Sequence, residues 1–66
     1  MINSIKLHRI QKNLGQAEMA EKAGVSRQTI HSIETGRFVP STLLALKLAR
    51  ILDAKVEDLF VLENGD

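Results

Sequence analysis

Few side chains in this 66-residue chain carry reactive groups, and most are in the wrong company for catalysis. Ser26 and Ser32 have no nucleophile-elbow setting. His8 and His31 have no partner order that suggests a triad, and no paired carboxylates or glycine-rich cofactor loop are present. His31 and Glu34 sit one helical turn apart but have no third ligand nearby, so neither a metal nor a cofactor is expected. What remains is hydrogen-bonding and charge. Arg27 and Gln28 are adjacent multi-donor side chains that, taken alone, fit an ordinary solvated face equally well. The charges are unevenly spread. Residues 1–40 carry Lys6, Arg9, Lys12, Lys22, Arg27 and Arg37 against Glu18, Glu21 and Glu34, whereas residues 41–66 carry Lys47, Arg50 and Lys55 against Asp53, Glu57, Asp58, Glu63 and Asp66. The net charge is only +1, but a basic front and an acidic back suit a polyanion met from one side.

The elements that would hold these residues can be read from caps, breakers and apolar spacing. A chain of this length is one small domain, burying only about 60% of the surface it exposes when unfolded. Hydrophobic residues make up 44%, yet Phe38 and Phe60 are the only aromatics, so the core is aliphatic and platforms for stacking single-stranded bases are lacking. Asn3 or Ser4 can cap a first helix running to about Asn13 and ended by Gly15. Ile2, Ile5 and Arg9 form one of its stripes, Leu7, Ile10 and Leu14 another, and spacing alone leaves open which meets the core. A second helix, Gln16 to Ala23, buries Met19, Ala20 and Ala23 and stops at Gly24. Ser26 caps a third, Arg27 to about Thr35, whose only strong apolar residues are Ile30 and Ile33. After the loop Arg37-Phe38-Val39-Pro40, Ser41 caps a fourth helix, Thr42 to about Leu52, apolar almost all round and therefore expected at the centre. Val56, Leu59 and Phe60 mark a short fifth helix beyond the break at Asp53-Ala54. No period-2 strand is seen. The fold expected is all-α, a compact five-helix bundle forming one domain over residues 1–66.

Gly24-Val25-Ser26 is the short glycine-containing turn of a helix-turn-helix spanning residues 16–35. Two steeply crossing helices need a small residue where their backbones approach, which Ala20 supplies, and the turn needs positive φ, which Gly24 supplies. Val25, Ile30 and Ile33 tie the third helix to the second and leave its opposite face free. The residues Gln16-Ala17-Glu18-Met19-Ala20, Gly24-Val25-Ser26-Arg27-Gln28-Thr29-Ile30 and Ile33-Glu34-Thr35-Gly36-Arg37, continued by Pro40-Ser41, Leu44, Leu48-Ala49, Leu52 and Leu59-Phe60, resemble the phage-repressor and Cro-type regulators. This is the xenobiotic-response-element family of helix-turn-helix proteins, and the resemblance covers nearly the whole chain.

The resemblance implies a lambda-repressor-like domain whose third helix enters the major groove of double-stranded DNA. Arg27, Gln28 and Ser32 would read bases with His31 nearby, since Arg forks onto guanine O6 and N7 and Gln onto adenine N6 and N7. Gln16 matches a phosphate-binding position at a helix start. Ser26 and Thr29 offer hydroxyls to the backbone, and Thr35, Gly36 and Arg37 form a second phosphate clamp. Glu34 corresponds to an acid that pairs with Arg9 in a structural role. Three positions depart from the family pattern: Gly15 replaces a hydroxyl or amide cap, Thr35 a more usual Asn, and His8 a Leu or aromatic.

A single module covers only about 600–1,000 Å² of DNA, so a homodimer on a two-fold operator is expected, with half-sites about 34–36 Å apart. Val61 and Leu62, beyond what five helices need, are candidates for its interface. The runner-up reading is a protein-interaction module, antitoxin-like or a polymerase adapter, contacting its partner through Leu7, Ile10, Val61 and Leu62. RNA polymerase or a toxin-like protein would then be the partner. No apolar run approaches the roughly 18 residues needed to cross a bilayer, and the first residues do not read as a signal peptide, so a cytoplasmic protein is expected. With no further domain read beyond residue 66, regulation is expected through concentration, dimerisation or a partner.

Overall fold

Hydroxyl caps open two of the five helices, while Ser4, at the cap position of the first, makes no side-chain cap bond. In the computed structural model, which describes residues 1–66, α1 covers Ile5–Gln11, α2 Gln16–Ala23, α3 Arg27–Glu34, α4 Thr42–Leu52 and α5 the single turn Val56–Leu59. Ser26 Oγ accepts the Thr29 N–H at 3.1 Å to open α3, and Ser41 Oγ accepts the Leu44 N–H at 3.2 Å to open α4. Such a cap bond is worth about 1 kcal/mol; the Leu44 N–H has no backbone partner, whereas the Thr29 N–H is shared with the Ser26 carbonyl at 3.1 Å. Gly15 opens α2 without a side-chain cap.

Helix ends are closed by left-handed residues. Gly24 (φ 74°) ends α2, with the Val25 N–H returning to the Ala20 carbonyl at 3.0 Å. Asp53 (φ 52°) ends α4 in the same way, the Ala54 N–H reaching the Ala49 carbonyl at 3.0 Å. The residue that stops α1 differs from the sequence reading. Asn13, not Gly15, takes the left-handed conformation (φ 58°), and the Leu14 N–H closes on the Arg9 carbonyl at 3.1 Å. Asn is among the few residues that tolerate this region, which frees Gly15 to begin α2 from an extended backbone (φ −77°).

The expectation of a purely helical chain needs correction. Ile2–Asn3 (β1) and Phe60–Val61 (β2) form a two-stranded antiparallel ladder, Ile2 opposite Val61 and Asn3 opposite Phe60. Two residues per strand are too few to show an alternating pattern, so periodicity could not reveal them. Phe60, expected to close the fifth helix, is in β2, and Val61, read as a candidate for a dimer contact, pairs across to Ile2 within the chain. The Ser4 N–H, donating to the Leu59 carbonyl at 2.8 Å, and Ser4 Oγ, donating to the Asp58 carbonyl at 3.0 Å, fasten the two chain ends further.

The core is aliphatic: Ile5, Met19, Ile30, Ile33, Leu48, Leu52 and Leu59 are fully buried, with Ala20, Ala23 and Ala49 filling close approaches. The stripe of α1 that turns inward is Ile5 and Arg9, while Leu7 and Ile10 face outward. Only one side of α4 is buried, through Leu44, Ala45, Leu48, Ala49 and Leu52. Leu43 (66% exposed) and Leu46 (56%) face out, so α4 is not enclosed on all sides as its composition suggested. No helix is long and apolar enough to cross a membrane.

Candidate nucleic-acid interface

Ala20, 3% exposed on α2, lets α3 cross closely, and Ile30 and Ile33 anchor α3 by one edge. Burying Ile30 and Ile33 leaves the other edge of α3 outside. Arg27, Gln28 and His31 are exposed there, with Ser32 partly covered beside them. The structure brings Gln16, at the start of α2, to the same surface, where Gln16, Arg27, Gln28 and His31 line one recess with no apolar residue. A neighbouring recess is formed by Gln28, Thr29, Ser32 and Phe38.

A buried ion pair lies behind this surface. Arg9 Nε donates to Glu34 Oε2 at 2.7 Å and Arg9 Nη2 to Glu34 Oε1 at 3.2 Å, a two-pronged contact with side chains only 10% and 3% exposed. Arg9 Nη1 also donates to the Leu14 carbonyl at 2.8 Å, and Gln16 Nε2 donates to Glu34 Oε1 at 3.0 Å. These four bonds join α1, the α1–α2 turn, the first residue of α2 and the last of α3. Burial alone pushes the Glu34 carboxyl pKa upward. The hydrogen bonds from Arg9 and Gln16 and the Arg9 charge outweigh it and hold the group below the usual glutamate range.

The hydroxyls expected near phosphates are engaged inside the protein. Ser26 Oγ and Thr29 Oγ1 lie 2.9 Å apart in the α3 cap. Thr35 Oγ1 donates to the His31 carbonyl at 3.0 Å, turned back onto its own helix. Gly36 (φ 79°) then reverses the chain so that the Arg37 and Phe38 N–H groups both return to the Ser32 carbonyl, at 2.9 and 3.2 Å. Arg37 is exposed at this corner. Val61 (51% exposed) pairs with Ile2 of β1, and Leu62 (75%) follows it.

Sequence reasoning passed over two contributors. Asn3 Nδ2 donates to the Ile33 carbonyl at 2.9 Å, bracing the last turn of α3 from the first strand. No local pattern marks a contact across thirty residues. Phe38, 46% exposed next to Gln28 and Ser32, puts an aromatic edge on the polar face, and its being a lone aromatic within a loop was the available signal.

Residues 5–59 match the helix-turn-helix family model. The chain is 46% identical over 66 residues to an uncharacterised HTH-type transcriptional regulator of Methanocaldococcus jannaschii, an alignment spanning 100% of both chains. Among solved structures it is similar to the restriction-modification controller protein C.AhdI of Aeromonas hydrophila, with a TM-score of 0.78, 32% identity and 85% of each chain covered. It is also similar to the N-terminal DNA binding domain of SinR from Bacillus subtilis, with a TM-score of 0.73, 37% identity, and 80% of this chain and 78% of that one covered. The glycine turn, the narrow buried edge of α3 and these likenesses over nearly the full length converge on one assignment: the chain belongs to the xenobiotic-response-element type of helix-turn-helix transcriptional regulators.

Proposed function

We propose that the protein binds double-stranded DNA sequence-specifically, placing α3 in the major groove and regulating transcription by occupying an operator. One observation carries this reading: the exposed face of α3 bearing Arg27, Gln28 and His31 is continuous with Gln16 at the start of α2 and is braced by a buried ion pair. A rigid helix edge carrying fork-shaped donors is what base-edge recognition requires. Arg27, Gln28, Ser32 and His31 would face base edges. Gln16, Ser26, Thr29, Thr35 and Arg37 flank them on the phosphate side: Gln16 through its N–H at the helix start, since its amide hydrogens serve Glu34 and His31, the Ser26–Thr29 pair through the one hydroxyl proton their mutual bond leaves over, and Thr35 by turning from the His31 carbonyl. The names of the SinR domain and of the C.AhdI controller support the same reading.

The protein would act as a symmetric homodimer without catalytic chemistry, repressing where its site overlaps that of RNA polymerase. Val61 and Leu62 are candidates for the subunit contact. A second reading, a module for a protein partner, draws on the apolar recess lined by Val39, Pro40, Ala45, Leu46 and Phe60, with Leu43 exposed close by on α4.

Titration with duplex DNA at two salt concentrations separates these readings. A protein neutralising several phosphates loses orders of magnitude in affinity between about 50 and 200 mM salt. A steep fall is the expected result, whereas the absence of duplex binding at either salt would favour the protein-partner reading.

A further inference from the structure

We propose that His31 recognises a hydrogen-bond acceptor on a base edge, guanine above all, by donating from Nε2–H, and that Gln16 holds it in that tautomer. The inference rests on the DNA-binding reading and assigns the chemistry of one contact within it.

A chain of donors and acceptors starting in the core leads to this assignment. Arg9 is a donor only, so Glu34, paired with it through both carboxylate oxygens, acts as acceptor throughout. Glu34 Oε1 lies 3.0 Å from the terminal nitrogen of Gln16, and that atom must be the NH2, because an amide oxygen there would face the carboxylate lone pair to lone pair. The same Gln16 Nε2 lies 3.4 Å from His31 Nδ1. The Gln16 amide carries two hydrogens and no acceptor on that nitrogen, enough to serve Glu34 and the imidazole together, so Nδ1 of a neutral His31 is the acceptor. Its proton then resides on Nε2, the far side of the ring. His31 is exposed and lines the same recess as Arg27 and Gln28, so Nε2–H is presented on the face proposed to meet the groove.

In the major groove guanine offers two acceptors, N7 and O6, whereas cytosine offers only its amino donor. A fixed Nε2–H therefore favours guanine and disfavours cytosine at the contacted position. Gln16 and Glu34 act here as positioning residues. They need not touch the base, and their influence passes through the imidazole.

The ring nitrogens report this directly. A long-range proton–nitrogen correlation spectrum of the free protein, recorded at about pH 8.5 where histidine is neutral, should show His31 locked with Nδ1 bare and Nε2 protonated. The His31→Gln variant identifies its signals among those of His8. In Gln16→Ala the ring should relax toward the tautomer mixture of a solvated histidine. A wild-type ring with Nδ1 protonated, or one indistinguishable from that of Gln16→Ala, overturns the positioning role. In parallel, selection from a random duplex pool should give the wild type one guanine preference that His31→Ala weakens about fivefold to tenfold, the size of one hydrogen bond. The same preference in both proteins overturns the base contact. Failure to bind any duplex overturns the DNA reading and that contact together, while the spectrum still decides whether Gln16 sets the tautomer.

Discussion

Arg9→Ala is expected to leave much of the chain unfolded at room temperature. The substitution strips the Glu34 carboxylate, whose side chain is 3% exposed, of both guanidinium bonds and leaves the Leu14 carbonyl without its donor. Removing one partner of a buried pair costs about 3–5 kcal/mol, because the remaining charge is neither solvated nor matched. Native domains hold only about 5–15 kcal/mol, and one this small belongs near the lower end. Denaturant titration followed by circular dichroism measures the loss, and a cost below about 1 kcal/mol would show the pair to be dispensable. Replacing both members with apolar residues of similar volume should be far milder than either single change. The pair also sets an acid limit. Because the folded pKa of Glu34 is depressed, its contribution is complete above the ordinary glutamate value of about 4.3 and is lost as pH falls through the lower folded value. That part of the acid sensitivity should be missing from Glu34→Gln.

Arg27→Ala is expected to weaken binding to the preferred duplex by about 1–3 kcal/mol while leaving the fold unchanged, since the side chain is exposed at the first position of α3. The loss should fall mainly on one base pair, and preference there should relax. On random-sequence duplex the same variant loses only one positive charge, a much smaller effect with a reduced salt slope. Competition binding with single-base operator variants distinguishes the two. Equal losses on preferred and random DNA would move Arg27 from base reading to phosphate contact.

The helix-turn-helix was legible because each of its requirements falls on a particular residue type: a small side chain at Ala20, positive φ at Gly24, a hydroxyl cap at Ser26, an apolar edge at Ile30 and Ile33. The pairing of Glu34 with Arg9 came from resemblance, since no spacing rule links residues 25 apart. The strand pair was not legible, because two-residue strands carry no period and exist only where the chain ends meet. The end of α1 was read close to its place, but its stop was given to Gly15 because Asn13 and Gly15 both suit a left-handed turn, and the Arg9 carbonyl, closed by Leu14, decides for Asn13. Composition misjudged α4 for a similar reason: apolar content counts leucines but does not say whether Leu43 and Leu46 meet the core or the outside. The Gln16 link between Glu34 and His31 depends on side-chain reach, which no linear pattern encodes.

Mapping where DNA lands tests the central claim most directly. Isotope-labelled protein titrated with its selected duplex should show amide perturbations concentrated at the start of α2 and along Arg27 to Ser32, with the outward face of α4 unaffected. Perturbations centred on Leu43 and Leu46, with α3 silent, would contradict the placement of α3 in the groove.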